Sequence, residues 1–489
     1  MSRILLLSTY ELGARPLGCT VPAAALAADG HEVRALDLSL GTLEPRALEE
    51  SDGVVVSVPM HTAWRLTMGV LAQIRGSRPD VPVFVHGLYA VATADAAGVL
   101  LGPRDVVAAG EVGPALRQWA AGLGEDPGAS PAGGPSRLVS LGKARRGPRP
   151  PQRRAGLAGL DAYAHLVRGA EERLVGTLET STGCNHTCRH CPVPVVYAGR
   201  SRAVALETTL AEADALIAEG ARHLHLADPD FLNRPTHARA FARALHGAHP
   251  EVSFDATVKV SHLLRHADLL GELARCGLVL VTTALESTSG TVLARLHKGH
   301  TAAEMRVALE LLRARRIEPR PSFLPFTPWT TRRDVTDLFD FVAEEDLVHN
   351  LDAVQYAIRL LLPPGSLLLA DPDPVLAASL AGEDRANGGT AWRAADPALD
   401  ACQEALAACA EQLADADARV AYDALRAVAH ERLGLADQGA PRPRASGAPP
   451  GPERPRLSEA WFCCAEPTRA QLAGVGRGRG CEAGGAGVG

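Results

Sequence analysis

Three thiols stand close together in the run Ser181-Thr182-Gly183-Cys184-Asn185-His186-Thr187-Cys188-Arg189-His190-Cys191-Pro192. At the spacing Cys-x3-Cys-x2-Cys, with Gly before and Pro after, one loop can wrap a metal centre. Thiolates ligate iron–sulfur clusters and zinc, and either site needs a fourth ligand. No fourth Cys lies nearby, so a cubane held by Cys184, Cys188 and Cys191 would leave one iron open to a small molecule. The competing reading is a structural zinc loop, in which His186 or His190 completes a Cys3His set. Zinc normally draws a second Cys/His pair from a short, regular distance. A second thiol feature lies near the end of the sequence, in Trp461-Phe462-Cys463-Cys464-Ala465-Glu466-Pro467. Adjacent cysteines are too close for an ordinary disulfide and suit metal or persulfide binding, exchange, or reduction of a bound species.

A loop of this kind needs a rigid frame. From residue 174 apolar β-type runs near 174–180, 223–228, 252–259, 278–285, 319–325 and 352–360 alternate with helices such as 206–219 and 302–315. Strand ends are where such folds carry chemistry. Asp228 and Asp230 follow the second run, Lys259 the third, Glu286 and Ser287 the fourth, Phe326 and Trp329 the fifth, and Tyr356 and Arg359 lie in the sixth. Each has a plainer reading: a capping Asp, a solvated Lys, or packing and loop support. Lys298-Gly299 reads as a helix end. Residues 1–123 repeat the alternation with continuously apolar strand cores such as Val54-Val55-Val56, which predicts a doubly wound parallel sheet covered on both faces. No Gly-x-Gly-x-x-Gly is present, which argues against a nicotinamide cofactor.

The cysteine spacing after a strand resembles the signature of radical S-adenosylmethionine (SAM) enzymes. The resemblance implies a partial (β/α)6 barrel and a [4Fe–4S] cluster on Cys184, Cys188 and Cys191. Its open iron would chelate the amino and carboxylate groups of SAM, and one electron would cleave the sulfonium to a 5′-deoxyadenosyl radical. It implies His190 near the adenine, Asp228 and Asp230 toward the SAM ammonium, Lys259 toward its carboxylate, and Glu286, with Ser287, accepting from the ribose hydroxyls. Residues 1–123 resemble the cobalamin-binding domain that precedes many such barrels, including the Val85-His86-Gly87 and Ala109-Gly110-Glu111 turns. The stretch Thr9–Gly13 lacks the His of the Asp-x-His-x-x-Gly pattern, so any cobalamin would lack that axial ligand. The tail resembles that of the CUAEP/CCAEP-tail radical SAM proteins, in some of which selenocysteine replaces the second Cys; this implies a reactive Cys464.

Composition is that of a globular protein, with 46% hydrophobic and 22% charged residues, and a net charge of −6 gives no global pull toward nucleic acid or anionic membrane. No apolar run approaches the roughly 20 residues of a membrane span. The expected setting is cytoplasmic, where ten cysteines read as ligands, redox thiols or small buried hydrophobes before disulfides. Between 124 and 160 Gly, Pro and Arg predominate, including Lys143, Arg145, Arg146, Arg149, Arg153 and Arg154, which predicts a flexible linker. The expected organisation is a cobalamin-binding-like domain at 1–123, the linker, a barrel at 161–370, a helical extension at 371–436, and a flexible tail at 437–489. The expected function is reductive SAM cleavage that starts radical chemistry on an unknown substrate, with cobalamin-assisted methyl transfer as a subordinate reading. An electron donor such as flavodoxin or ferredoxin is implied, with no nucleic-acid or membrane partner. The alternatives are a zinc or Fe–S redox scaffold without SAM chemistry, and an enzyme handling sulfur or selenium through Cys463 and Cys464. Tyr356 and Arg359 are further candidates for catalytic work.

Overall fold

The computed structural model describes residues 1–90, 100–124, 136–140, 149–384, 388–444 and 447–459. Cys463 and Cys464 lie outside the described residues, as do Lys143, Arg145 and Arg146.

Strands β1 (Arg3–Ser8), β2 (Glu32–Asp37), β3 (Gly53–Ser57), β4 (Val83–His86), β5 (Val106–Gly110) and β6 (Ser136–Ser140) form one parallel sheet in the order β2-β1-β3-β4-β5-β6. Every residue of β3 is buried, as expected for a strand covered on both faces. β6 falls in the stretch expected as linker; five residues flanked by Gly and Pro carry too little periodicity to be read as a strand. The end of that stretch is also fixed. Arg149 and the Gln152 backbone N–H both donate to Glu212, whose carboxylate is fully buried and requires partners.

The chain leaves β1 for β2 on one side and β3 lies on the other, so the β1/β3 boundary is the topological switch point at which ligands sit in such sheets. Glu11 fills that position, accepting from the Gly18 N–H (3.1 Å) and Ser57 Oγ (3.2 Å). The Gly18 carbonyl in turn accepts from His86 Nε2 at 3.0 Å. Burial, and secondarily the charge of Asp37, push the Glu11 carboxyl up to about 8, while burial pushes His86 down to about 4. Both groups are therefore neutral at pH 7. Gly87, at φ +124°, begins the turn after β4, and a Cβ there would stand 2.4 Å from the Val58 carbonyl, so only glycine fits.

The second sheet contains β7 (His165–Arg168), β8 (Glu171–Leu178), β11 (His223–Leu226), β12 (Ser253–Thr257), β13 (Leu278–Glu286), β14 (Glu318–Phe323) and β17 (Arg456–Leu457), in the order β14-β13-β12-β11-β8-β7-β17. β8 and β11 to β14 are parallel; β7 is antiparallel to both β8 and β17. The short antiparallel pair β9 (Ser181–Gly183) and β10 (Ser201–Ala203) flanks the cysteine loop, and β15 (Leu380–Asp384) pairs with β16 (Gly389–Trp392). Side chains alternate with the period of two. On β11 Leu224 and Leu226 join the apolar layer beneath the helices, whereas His223 and His225 meet the fully buried Asp255 of β12 at 2.9 and 2.8 Å.

The sixth strand expected over 352–360 is reduced to a 3-10 turn, Ala353–Tyr356, and one bridge between Phe326 and Arg359. Gln355 supplies the reason: its side-chain oxygen accepts the Phe323 N–H at 2.9 Å, standing in for a strand carbonyl at the β14 edge. The opposite edge is extended by β7 and β17, and the sheet curls into a nearly closed barrel. Arg320 of β14 reaches across, donating to the Glu459 carbonyl (2.6 Å) just past β17. Helices Pro397–Gln412 and Ala418–Leu433 pack outside the barrel, their Cys402, Leu406, Tyr422 and Leu425 entering the layer that holds Phe339 and Tyr356. Met60 and Ala63 of the first domain share an apolar cluster with Val292, Leu296 and Trp329 of the barrel. No helix among the described residues is long and apolar enough to cross a membrane.

Because the Glu11 carboxyl is raised in the folded chain, its contribution to stability is complete below the unfolded value and is lost as pH rises through about 8. Thermal melts should therefore show the wild-type midpoint falling more steeply than that of Glu11→Gln as pH rises from about 4.5 to about 8. Parallel curves would disprove the buried neutral carboxyl.

Candidate functional site

Gly183 opens the cysteine loop at φ +72°, and a Cβ there would lie 2.3 Å from the Arg200 carbonyl, so the residue before Cys184 must be glycine. The loop is then pinned from two sides. Asn185 N–H donates to Asn233 Oδ1 and its side-chain amide to the Asn233 carbonyl, both at 3.1 Å; Arg189 N–H donates to the Leu296 carbonyl at 3.1 Å. Cys184, Cys188 and Cys191 are all free of disulfides, with Cys188 buried and the other two partly so. Burial pushes the Cys184 thiol up. Cations stand beside the sulfurs: Lys259 Nζ is 3.5 Å from Cys188 Sγ, and the buried Lys298 ammonium is raised, against its desolvation, by Glu286 and by Cys188 and Cys191. Three sulfurs on one loop with two ammonium groups beside them suit an anionic thiolate cluster.

β13 ends in an irregular step between Ala284 and Glu286, and Glu286 itself has φ +68°, a backbone setting that a non-glycine residue holds only under constraint. The constraint is visible. Glu286 Oε1 accepts from His190 Nε2 and Lys298 Nζ, each at 3.1 Å, with the Lys298 and Glu286 side chains only 4% and 10% exposed. Burial would raise the Glu286 carboxyl, but Lys298 and His190 reverse that and keep it ionised. Ser287 Oγ accepts the Ser289 N–H at 3.1 Å and shapes the turn that follows. His190, Glu286, Ser287, Lys298 and the three cysteines are thus drawn to one end of the barrel.

The carboxylates after β11 are engaged by the protein. Asp228 Oδ1 accepts from Thr180 N–H (2.7 Å), while Oδ2 accepts from the hydroxyls of Thr180 (2.7 Å) and Ser181 (2.5 Å). Asp228 therefore ties the end of β8 to the end of β11, and burial pushes its carboxyl up to about 6 against those donors. Asp230 uses Oδ1 to accept the Leu232 N–H at 3.0 Å and presents Oδ2 to His186 and His262. Tyr356 and Arg359 stand elsewhere. Tyr356 stacks on Phe339 at 4.8 Å in the apolar layer, and Arg359 donates to Asp400 and to the Trp392 carbonyl, both at 2.6 Å, facing the carboxyl-terminal helices. Phe326 is buried in the same layer, and Trp329 Nε1 donates to Asp373 (2.9 Å), so neither lines the mouth as an open wall.

Two features escaped the sequence reading. Glu179, directly after β8, is pushed up to about 7, first by burial and then by Asp228 and Glu212 against the opposing Arg149. A carboxyl titrating near neutrality suits proton transfer, and only its position at a strand end marked it. The second is His262, on the helix Val260–Arg265, which meets Asp230 and His186; no local pattern singled it out.

Residues 178–342 match the radical SAM superfamily, and the matched stretch contains the cysteine loop at the strand ends. No curated protein matches the sequence. The fold is similar to that of TsrM, a radical S-adenosylmethionine methyltransferase from Kitasatospora setae solved with cobalamin and a [4Fe–4S] cluster (TM-score 0.52, 21% identity, covering 70% of this chain and 72% of that one). It is also similar to OxsB, a cobalamin-dependent S-adenosylmethionine radical enzyme solved with aqua-cobalamin and S-adenosylmethionine (TM-score 0.66, 14% identity, 88% and 72%). At these identities the likeness is one of fold.

Lys298→Met leaves Glu286 buried with only His190 as its polar partner and should lower the unfolding free energy by about 3 kcal/mol in urea titrations. Glu286→Gln in the same chain should recover part of that loss. A single variant as stable as wild type would show that the pair is solvated.

Proposed function

We propose that Cys184, Cys188 and Cys191 hold a [4Fe–4S] cluster and that SAM binds over it, using His190, Lys259, Glu286 and Ser287. The observation that carries this reading is the convergence of three loop sulfurs with the Lys259 and Lys298 ammonium groups at one end of the barrel. A cluster bound there would supply the electron that cleaves the SAM sulfonium, drawn from a donor such as flavodoxin or ferredoxin. The chain's own groups do the positioning. Lys259 and Lys298 offset the charge of the thiolates, and Glu286, held ionised, offers a carboxylate acceptor for hydroxyl groups. Asp228 braces the base of the loop through Thr180 and Ser181, with both of its oxygens engaged.

For the first domain, the likeness in fold to TsrM and OxsB supports cobalamin-assisted methyl transfer as the accompanying reading. A corrin would lie near the β1/β3 switch point, and His86 is engaged there with Gly18 rather than available to cobalt.

Anaerobic purification with iron, sulfide and cobalt analysis, together with a dithionite-driven assay for 5′-deoxyadenosine, tests both parts. About four irons per chain and deoxyadenosine formation, both abolished in Cys188→Ala, are the expected result. Zinc in place of iron, with SAM left intact, would overturn the cluster. Turnover of full rate by cobalt-free protein would remove the methyl-transfer reading.

A second reading, that Cys463 and Cys464 act at the same site, is favoured by the direction of β17. Being antiparallel to β7, which is itself antiparallel to β8, β17 runs the same way as the barrel strands, toward the end that carries the cysteine loop. Glu459 follows, its carboxylate accepting from the Tyr10 hydroxyl at 2.6 Å, and Cys464 lies within about 17 Å of extended chain from it. Cys464→Ser should abolish product formation while leaving deoxyadenosine release intact; unchanged product formation would exclude a role for the tail.

A further inference from the structure

Beside the cysteine loop, three ligand-type side chains from successive strand ends converge without satisfying one another. His186 lies in the loop between Cys184 and Cys188, Asp230 follows β11, and His262 follows β12 on the helix Val260–Arg265. Asp230 Oδ2 stands 2.9 Å from His262 Nδ1 and 3.3 Å from His186 Nε2, and one ligand atom from each residue falls within 4.8 Å of the others. Those separations would suit hydrogen bonds, yet the N–H directions do not. His186 Nε2, Asp230 Oδ2 and His262 Nδ1 are all buried without a hydrogen-bond partner. Asp230 is 2% exposed and His262 5%, so solvent does not relieve them. Three orphaned polar atoms facing one point are costly, at about 1–3 kcal/mol each.

A cation removes that cost. Ligands about 2.0–2.1 Å from a first-row metal stand about 2.9 Å apart at right angles and about 3.4 Å apart in a tetrahedron, which brackets the two Asp230–histidine separations. The donor set, two imidazoles and one carboxylate, is that of catalytic zinc and of non-haem ferrous sites. The other oxygen of Asp230 is fixed by the Leu232 N–H at 3.0 Å, the kind of outer bond that orients a ligating carboxylate. One negative ligand against a divalent ion leaves a modest net charge for a buried position.

We propose that His186, Asp230 and His262 form a binding site for a divalent first-row transition metal ion, zinc or ferrous iron, distinct from the cluster cysteines. Three protein ligands leave at least one position open to water or a small ligand. Because His186 belongs to the cysteine loop, the ion also ties that loop to the ends of β11 and β12 before any cluster is loaded.

The test must separate this site from the cluster, so Co2+ is titrated into full-length chain carrying Cys184→Ala, Cys188→Ala and Cys191→Ala. The expected result is uptake of about one equivalent with visible d–d absorption and no thiolate charge-transfer band. His262→Ala and, separately, the nearly isosteric Asp230→Asn should each weaken uptake tenfold or more, with circular dichroism confirming that each chain is folded. Where the triple-alanine chain does not fold, metal analysis of the cluster-loaded wild type replaces it. It should then show about one zinc or iron beyond the cluster, lost in Asp230→Asn with the cluster absorbance retained. Absence of uptake, or uptake indifferent to both His262 and Asp230, overturns the site.

Discussion

A carboxylate removed from water must be met by cations or by N–H and O–H donors, and the functional end of this barrel is organised by that requirement. Asp228 gathers Thr180 and Ser181, Glu286 gathers His190 and Lys298, and Glu212 gathers Arg149 and Gln152. Each of these links joins segments distant in sequence: β8 with β11, the cysteine loop with β13, and the approach to the barrel with the helix Leu206–Ala218. The network therefore fixes loop positions that apolar packing, being non-directional, leaves loose. Lys298, which neutralises Glu286, and Lys259, which approaches Cys188, bring positive charge to the same strand ends as the sulfurs.

The two domains are joined by apolar and polar contacts together. Met60 and Ala63 share a cluster with Val292, Leu296 and Trp329, while Arg202 of β10 bonds Glu111 at the end of β5 at 3.0 Å. The carboxyl ends of the first sheet thus lie against the flank of the cysteine loop.

Much of this was legible in the sequence because it rests on local pattern. The alternation of apolar runs marked the parallel sheets, and the cysteine spacing with its preceding Gly183 marked the loop. The sixth strand was misread because Gln355 replaces a ladder carbonyl with a side chain, a substitution that leaves the apolar run itself unchanged. Tyr356 and Arg359 are candidates for catalytic work only if the sixth run is a strand; in a 3-10 turn and bridge they meet Phe339 and Asp400 instead. Glu179 owes its neutral-range titration first to burial and then to Asp228 and Glu212, which are near in space but far in sequence, and His262 meets Asp230 only once β11 and β12 are paired. Such encounters leave no periodic signature.

The pairing of β17 with β7 has a consequence for biogenesis. Ser458 Oγ accepts the His165 N–H across a separation of 293 residues, so the outer edge of β7 has no strand to pair with until the segment carrying β17 has been made. An unpaired edge of this kind invites pairing with other chains. The cysteine loop and the helices that brace it are complete much earlier. Until β17 docks, that edge of the barrel can pair with another chain.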